Sequence, residues 1–139
     1  MPDHSTPTGS LRCLVVTPET TVVDTLADAV TVTLVDGEYG IAPRHAPMIG
    51  RLGYGELRIR VGAEQERYYT DGGFVQVVDD VVSVLTNRAM TAASLTTATA
   101  TEQLRAALAR PAAGNEELAI RDRLIAQSRG QLRVAQSAN

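Results

Sequence analysis

Glu56-Leu57-Arg58-Ile59-Arg60-Val61-Gly62 alternates apolar and charged side chains and ends on a glycine. Period-two alternation puts Leu57, Ile59 and Val61 on one face of an extended chain and both arginines on the other. The pattern spreads outward from there. Val30, Val32 and Leu34 interleave with Thr31 and Thr33, and Val75/Val77 and Val82/Val84 flank a turn at Asp79-Asp80. Pro18, Asp36-Gly37, Gly53, Gly62 and Asp71-Gly72-Gly73 punctuate these runs about every eight to twelve residues, the spacing of a sandwich or barrel. Roughly nine or ten short strands are expected between Leu11 and Met90. Leu14-Val15-Val16 and Val77-Val78 are continuously apolar and predict strands covered on both faces. Gly72-Gly73 reads as a bend or a close backbone approach.

The chain changes character near residue 90. Fourteen of fifteen valines precede Met90 and thirteen of nineteen alanines follow it, a shift from strand-suited to helix-suited residues. Charge divides too: residues 1–93 carry seven Arg against twelve acids, and residues 94–139 carry six Arg against four. After a Thr-rich linker, Thr99-Ala100-Thr101-Glu102 fits a capping box that opens a helix running to about Arg110, where Pro111 stops it. Asn115 is placed to cap a second helix, with Glu116 and Glu117 in its first turn and Arg129 and Arg133 toward its end. Two helices joined by about five residues form an antiparallel hairpin.

The second helix has apolar residues on two sides, Leu118, Ile125 and Leu132 on one and Ile120, Leu124 and Val134 nearer the other. Gly130 adds a local weakness of about 1 kcal/mol relative to Ala. The fold class is therefore mainly β with an α appendage: an N-terminal antiparallel β-sandwich of about ten short strands, then a C-terminal helical hairpin. The expected division is a disordered tail over 1–10, a sandwich over 11–91 and the hairpin over 92–139.

Composition narrows the function. The chain has 139 residues, a net charge of −3 and 4% aromatic residues with no Trp, so it offers neither a basic stripe nor a stacking platform for nucleic acid. All thirteen basic residues are arginine, a uniformity that reads as coding bias. No apolar run approaches a membrane span, and direct membrane insertion is not expected. Cys13 lies in an apolar strand and reads as core. With His4 and His45 it makes no metal cluster. No nucleophile and base or paired carboxylates suggest themselves, so no catalytic residue and no metal site is assigned. His45, in Ala42-Pro43-Arg44-His45-Ala46-Pro47, reads as a structural or interface residue on a rigid loop.

Asp36-Gly37-Glu38-Tyr39-Gly40-Ile41-Ala42-Pro43-Arg44-His45-Ala46-Pro47 closely resembles the epsilon-subunit family of F-type ATP synthases. Val16-Thr17-Pro18, Gly55-Glu56-Leu57-Arg58-Ile59, Gly72-Gly73-Phe74 and Gln131-Leu132-Arg133-Val134 look like family positions in family order. The resemblance implies a rotor subunit of the central stalk, on the cytoplasmic face of a bacterial cell membrane, that couples proton transport through the membrane ring to ATP synthesis. It implies contact with the polar loops of the c-ring through the turn Asp36 to Tyr39, with Glu38 as the matched acid. It also implies packing on the gamma subunit around Arg44, His45 and Pro47.

The hairpin of this family either folds on the sandwich or extends toward the alpha/beta catalytic head, where it restrains hydrolysis. Some members bind regulatory ATP through Ile/Leu-Asp-x-x-Arg-Ala. The matching Thr101-Glu102-Gln103-Leu104-Arg105-Ala106 keeps the acid type, Arg105 and Ala106, and replaces the aliphatic and the Asp. Glu102 and Arg105 of that stretch, with Arg121 and Arg129 of the second helix, are the candidate ATP contacts, Glu102 as a mere helix cap being the other reading. A free-standing nucleotide-sensing β-sandwich module is the alternative function, and co-purification with an alpha–beta–gamma assembly separates the two.

Overall fold

The computed structural model describes Gly9 and residues 11–137, so the tail expected over 1–10 lies, apart from Gly9, outside the described residues. Eight strands come first: β1 (Leu11–Val16), β2 (Thr21–Ala27), β3 (Ala29–Leu34), β4 (Gly37–Ile41), β5 (Met48–Val61), β6 (Glu64–Val78), β7 (Val81–Leu85) and β8 (Ala89–Thr91). A 3-10 turn (Ala92–Ser94) and helices α1 (Thr97–Ala109) and α2 (Asn115–Gln136) follow. The strands are fewer than the sequence suggests because β5 and β6 run 14 and 15 residues. Gly53 and Gly72-Gly73 punctuate the apolar runs without ending strands: they lie within that long pairing, and Gly73 makes a close backbone approach, a Cβ there running into the Leu85 carbonyl.

Each long strand serves both layers of the sandwich. The Phe74–Val78 half of β6 pairs with β7, which leads on to β1 and β2, while its Tyr68–Thr70 stretch pairs with β8. The Arg58–Arg60 stretch of β5 pairs with β3, which leads to β4. All pairings are antiparallel except β1 with β7. One cluster fills the space between the layers, with Cys13, Val15, Val75, Val77, Val82 and Val84 from one and Val30, Val32, Ile41, Leu57 and Ile59 from the other. The strict alternation of Leu57 and Ile59 with Arg58 and Arg60 sends the first pair inward and the second outward.

The continuously apolar runs behave differently from expectation. Leu14 is half-buried beside fully buried Val15, and Val78 is exposed, so these strands are covered on one face only. Their extra apolar residues belong to an outer sheet face that also carries Ile49, Phe74 and Leu85, all exposed. Asp79 and Asp80 close the β6–β7 hairpin with φ of +50° and +61°, both in the left-handed region that two-residue hairpin turns require.

Both helix starts shift. Thr96, not Thr99, caps α1: its hydroxyl accepts from the Thr99 amide at 3.1 Å, which moves the helix three residues upstream and leaves Glu102 to pair with Arg105. In α2 Asn115 is already helical and Gly114, at φ +104°, takes the cap position without a side-chain bond. Glu117 reaches back to the Ala113 amide at 3.3 Å in its place. The C-terminal half of α2 lies on β5 and β6, and α1 packs on α2. Gly130 is the reason α2 comes so close: a Cβ there would stand 2.5 Å from the Tyr54 carbonyl oxygen. The glycine that reads as a weakness in the sequence is a packing requirement.

Candidate functional site

Two regions concentrate placed polar groups, and a line of charges joins them. The first is the loop from Asp36 to Pro47, beginning with the exposed β3–β4 turn. Arg44 sits at φ +65°, and its amide donates to the Asp80 carboxylate at 2.6 Å, tying the loop to the β6–β7 turn. His45 Nδ1 lies 2.6 Å from the Ala46 carbonyl oxygen and Nε2 lies 2.6 Å from the Tyr39 hydroxyl, with the rings edge to face at 5.5 Å. A carbonyl only accepts, so Nδ1 donates to Ala46, and Nε2 shares a hydrogen bond with the Tyr39 hydroxyl. The loop between Pro43 and Pro47 is thus clipped at both ends. Asp36, Glu38, Arg44 and Pro47 present their side chains outward, and Tyr39 and His45 hold each other.

The second region is the seam under α2. Asp71, buried in β6, receives the Tyr69 hydroxyl at 2.8 Å and the Gln127 side-chain amide at 3.0 and 3.1 Å on its two oxygens. Arg88 Nε stands 3.9 Å away. Tyr69 is fully buried, and burial, then the neighbouring Asp71 carboxylate, holds its hydroxyl well above the ordinary tyrosine range. Buried Ser128 and Gln131 lie on the same helix, and the apolar part of the seam is a small cluster of Tyr69, Ala92 and Val134. Much of the contact that docks α2 is therefore hydrogen-bonded rather than greasy, a seam whose strength depends on partners being in register.

The line of charges crosses the outer face of β5 and β6. Glu38 is held by Arg58 in a two-pronged pair at 3.0 and 3.3 Å. Arg58 also donates to Glu56 at 2.6 Å, Glu56 pairs with Arg67, and Arg67 donates to the Val134 carbonyl at 3.1 Å and the Ser137 hydroxyl at 3.0 Å. A guanidinium at the last carbonyls of α2 complements the negative end of its dipole.

The candidate ATP contacts do not converge. Glu102 and Arg105 pair with each other on the exposed side of α1. Arg121 donates to the Leu108 carbonyl at the end of α1, at 3.3 Å. Arg129 lines a groove of about 980 Å³ between α2 and the sandwich, and a second hollow of about 550 Å³ between the helices is lined by Arg88, Gln103, Arg110 and Gln127 but by none of the four. Among the described residues no three His, Cys, Asp or Glu side chains gather as metal ligands, and no helix is long and apolar enough to cross a membrane.

Sequence reasoning missed the seam and the charge line. Tyr69 and Asp71 stand two apart in a strand, hence on one face, and an acid sharing a face with a tyrosine that must be buried was the available signal.

Residues 10–92 match the family model described as ATP synthase, Delta/Epsilon chain, beta-sandwich domain. The chain is 49% identical over 126 residues to the ATP synthase epsilon chain of Rhodopirellula baltica, covering 91% of this chain and 98% of that one. It is 42% identical over 97 residues to the ATP synthase epsilon chain of Symbiobacterium thermophilum, covering 69% and 70%. Its fold is similar to that of a chain in the Euglena gracilis mitochondrial ATP synthase OSCP/F1/c-ring structure, with TM-score 0.81 at 19% identity over 98% of this chain and 86% of that one. A chain of the Tetrahymena thermophila mitochondrial ATP synthase central stalk/c-ring gives TM-score 0.68 at 13% identity, over 94% and 99%.

Proposed function

The chain belongs to the ATP synthase epsilon family, and on that premise we propose that it is a non-catalytic rotor subunit. It couples proton-driven rotation of the membrane ring to ATP synthesis, from the cytoplasmic face of the cell membrane. The turn Asp36 to Tyr39 meets the c-ring, the loop around Arg44, His45 and Pro47 packs on gamma, and the hairpin regulates hydrolysis by leaving the sandwich for the alpha/beta head.

The observation that carries this reading is the charge line Glu38, Arg58, Glu56, Arg67, Val134 carbonyl, because it ties the exposed turn at one end of the sandwich to the last turn of α2. A coupler needs a stiff body between its contacts, and β5 and β6 supply it by running through both layers. A regulator needs a detachable element, and the half-polar seam at Asp71 supports that role. Glu38, with its side chain 58% exposed, keeps a face free for a basic or polar loop.

ATP hydrolysis by a cognate alpha–beta–gamma assembly, with the whole chain and with a chain ending at Thr91, tests the proposal. Binding of both forms with suppression by the whole chain alone is expected. Binding without suppression removes the regulatory half, and failure of both to bind removes the assignment.

A further inference from the structure

Arg58 of β5 and Arg67 of β6 stand directly opposite each other in the strand register. Like charges so placed repel, and Glu56 is the group that lets both stay. It gives one carboxylate oxygen to each: Oε1 accepts from Arg58 Nη1 at 2.6 Å, and Oε2 accepts from Arg67 Nε at 2.7 Å. Each guanidinium also has an acceptor on its far side. Arg58 donates to the Glu38 carboxylate at 3.0 and 3.3 Å, and Arg67 donates to the Val134 carbonyl at 3.1 Å and the Ser137 hydroxyl at 3.0 Å. Every inner member is thus shared, and tightening one bond loosens the next. The middle of the line is shielded, with the side chains of Glu56 and Arg67 11% and 17% exposed, so salt screens it weakly. Glu38, 58% exposed, is the end that an outside cation reaches.

We infer that this line couples the turn to the hairpin: a cation seated on Glu38 tightens the docking of α2, and docking of α2 raises the affinity of Glu38 for that cation. A guanidinium or ammonium at Glu38 takes the carboxylate that Arg58 otherwise holds. Arg58 then turns to Glu56, Glu56 holds Arg67 less, and Arg67 gives more to the last carbonyls of α2. The overall charge balance has the same sign, since neutralising Glu38 leaves the line more positive against the negative end of the helix dipole. Linkage makes the effect reciprocal. The identity of the occupant rests on the rotor reading, which sets the turn Asp36 to Tyr39 on the c-ring, and the coupling goes beyond it. A basic ring loop on the turn holds the hairpin down, and a chain off the ring releases it more readily.

Hydrogen exchange of the whole chain, free in solution, tests the coupling with E38Q, R58Q and the double variant. E38Q frees Arg58 as an occupying cation would, and the amides of α2 from Gln131 onward are expected to exchange about threefold more slowly than in the parent. R58Q leaves Glu56 to Arg67 alone, and the same amides are expected to exchange about threefold faster. The double variant is expected to follow R58Q, because Glu38 acts on the helix through Arg58. Amides of β1 and β7 report any change in the sandwich as a whole. Two substitutions that merely broke one stabilising ion pair would move the helix in the same direction, so the opposite signs are diagnostic. Unchanged or faster exchange of α2 in E38Q overturns the inference, as does a slowing by E38Q that persists without Arg58. Binding of the parent chain to the cognate alpha–beta–gamma assembly is measured alongside. Failure there overturns the rotor reading and the ring as occupant, whereas the coupling within the chain stands or falls on the exchange result.

Discussion

Arg67 on β6 pairs with Glu56 and donates to the carbonyl of Val134 at 3.1 Å, so one guanidinium closes the last turn of α2 onto the sheet. Both members of the ion pair are largely buried, with side chains 17% and 11% exposed. Removing one partner strands the other. Arg67→Gln is expected to cost about 1–3 kcal/mol in denaturant unfolding, since Glu56 keeps only Arg58. Amides of α2 from about Gln131 onward should exchange faster while the β1–β7 core is unaffected. Uniform acceleration through the sandwich would mean that Arg67 serves the sheet and not the helix.

Gly130 makes a prediction opposite in sign to helix propensity. Alanine gains about 1 kcal/mol over glycine within a helix. Its Cβ would meet the Tyr54 carbonyl at 2.5 Å, a backbone atom that cannot swing aside. Overpacking of that kind costs about 1–3 kcal/mol, so Gly130→Ala should weaken docking of α2 while raising its helicity once detached. Far-UV dichroism that holds steady while α2 loses hydrogen-exchange protection is the expected pair of results. A variant more stable than the parent would show that the helix shifts outward freely.

The two readings of Gly130 illustrate what the sequence could disclose. Period-two alternation placed Leu57, Ile59, Val30 and Val32 in the core because burial on one face of a strand is a local property. The cost of a helical glycine is local as well, whereas its benefit depends on a carbonyl distant in the chain, at Tyr54. Gly72-Gly73 reads correctly as a close backbone approach, since a Cβ at Gly73 would run into the Leu85 carbonyl, but that Gly53 and this pair punctuate long strands without ending them depends on the pairing Leu52↔Gly73. The loop around His45 was legible as rigid from its prolines, but its tie to Asp80 joins elements 36 residues apart. Asp71 was hidden within a turn-like Asp-Gly-Gly, and its partner Gln127 carries no charge to advertise it. Glu102 and Arg105, the candidate ATP contacts that followed a motif, pair with each other, which a motif does not disclose.

Cys13 should be silent to thiol reagents in the folded chain and should make the protein sensitive to alkali. The residue is fully buried, and burial, with Glu66 adding to it, pushes the thiol from 9.0 up to about 12. A rise of that size lowers the thiolate fraction near neutral pH about a thousandfold, so labelling should proceed only through unfolding. The folded state keeps a proton that the unfolded chain releases. The associated stability is therefore complete below pH 9.0 and is lost as pH climbs through the folded value of about 12. Cys13→Ala should start less stable from lost packing but fall less steeply above pH 9.0. Tyr68, pushed up to about 12 mainly by burial, and Tyr69, held well above the ordinary range by burial and Asp71, leave a residual slope in the variant. Parallel curves for parent and variant would refute the assignment of the alkaline loss to this thiol.

Asp71 and Gln127 allow the docking seam to be tested by exchange of roles. The Gln127 amide bonds both Asp71 oxygens at 3.0 and 3.1 Å, so Gln127→Glu sets two carboxylates face to face in a buried site. Like charges there cannot both stay ionised at low cost, and docking should weaken by about 2–4 kcal/mol, seen as loss of α2 protection with the sandwich intact. Asp71→Asn alone keeps an oxygen for the Tyr69 hydroxyl but turns a donor toward a donor, and should cost about 1–3 kcal/mol. Together the substitutions restore complementarity, since the side-chain amide introduced at position 71 then donates to the carboxylate introduced at position 127. The double variant should recover more than half of the Gln127→Glu loss, a coupling that independent damage cannot produce. In the cognate assembly, Gln127→Glu alone should deepen suppression of ATP hydrolysis by freeing the hairpin, and the double variant should bring suppression back toward that of the parent. Additive losses without recovery would show that the seam holds by shape and apolar contact, with Asp71 a bystander to docking.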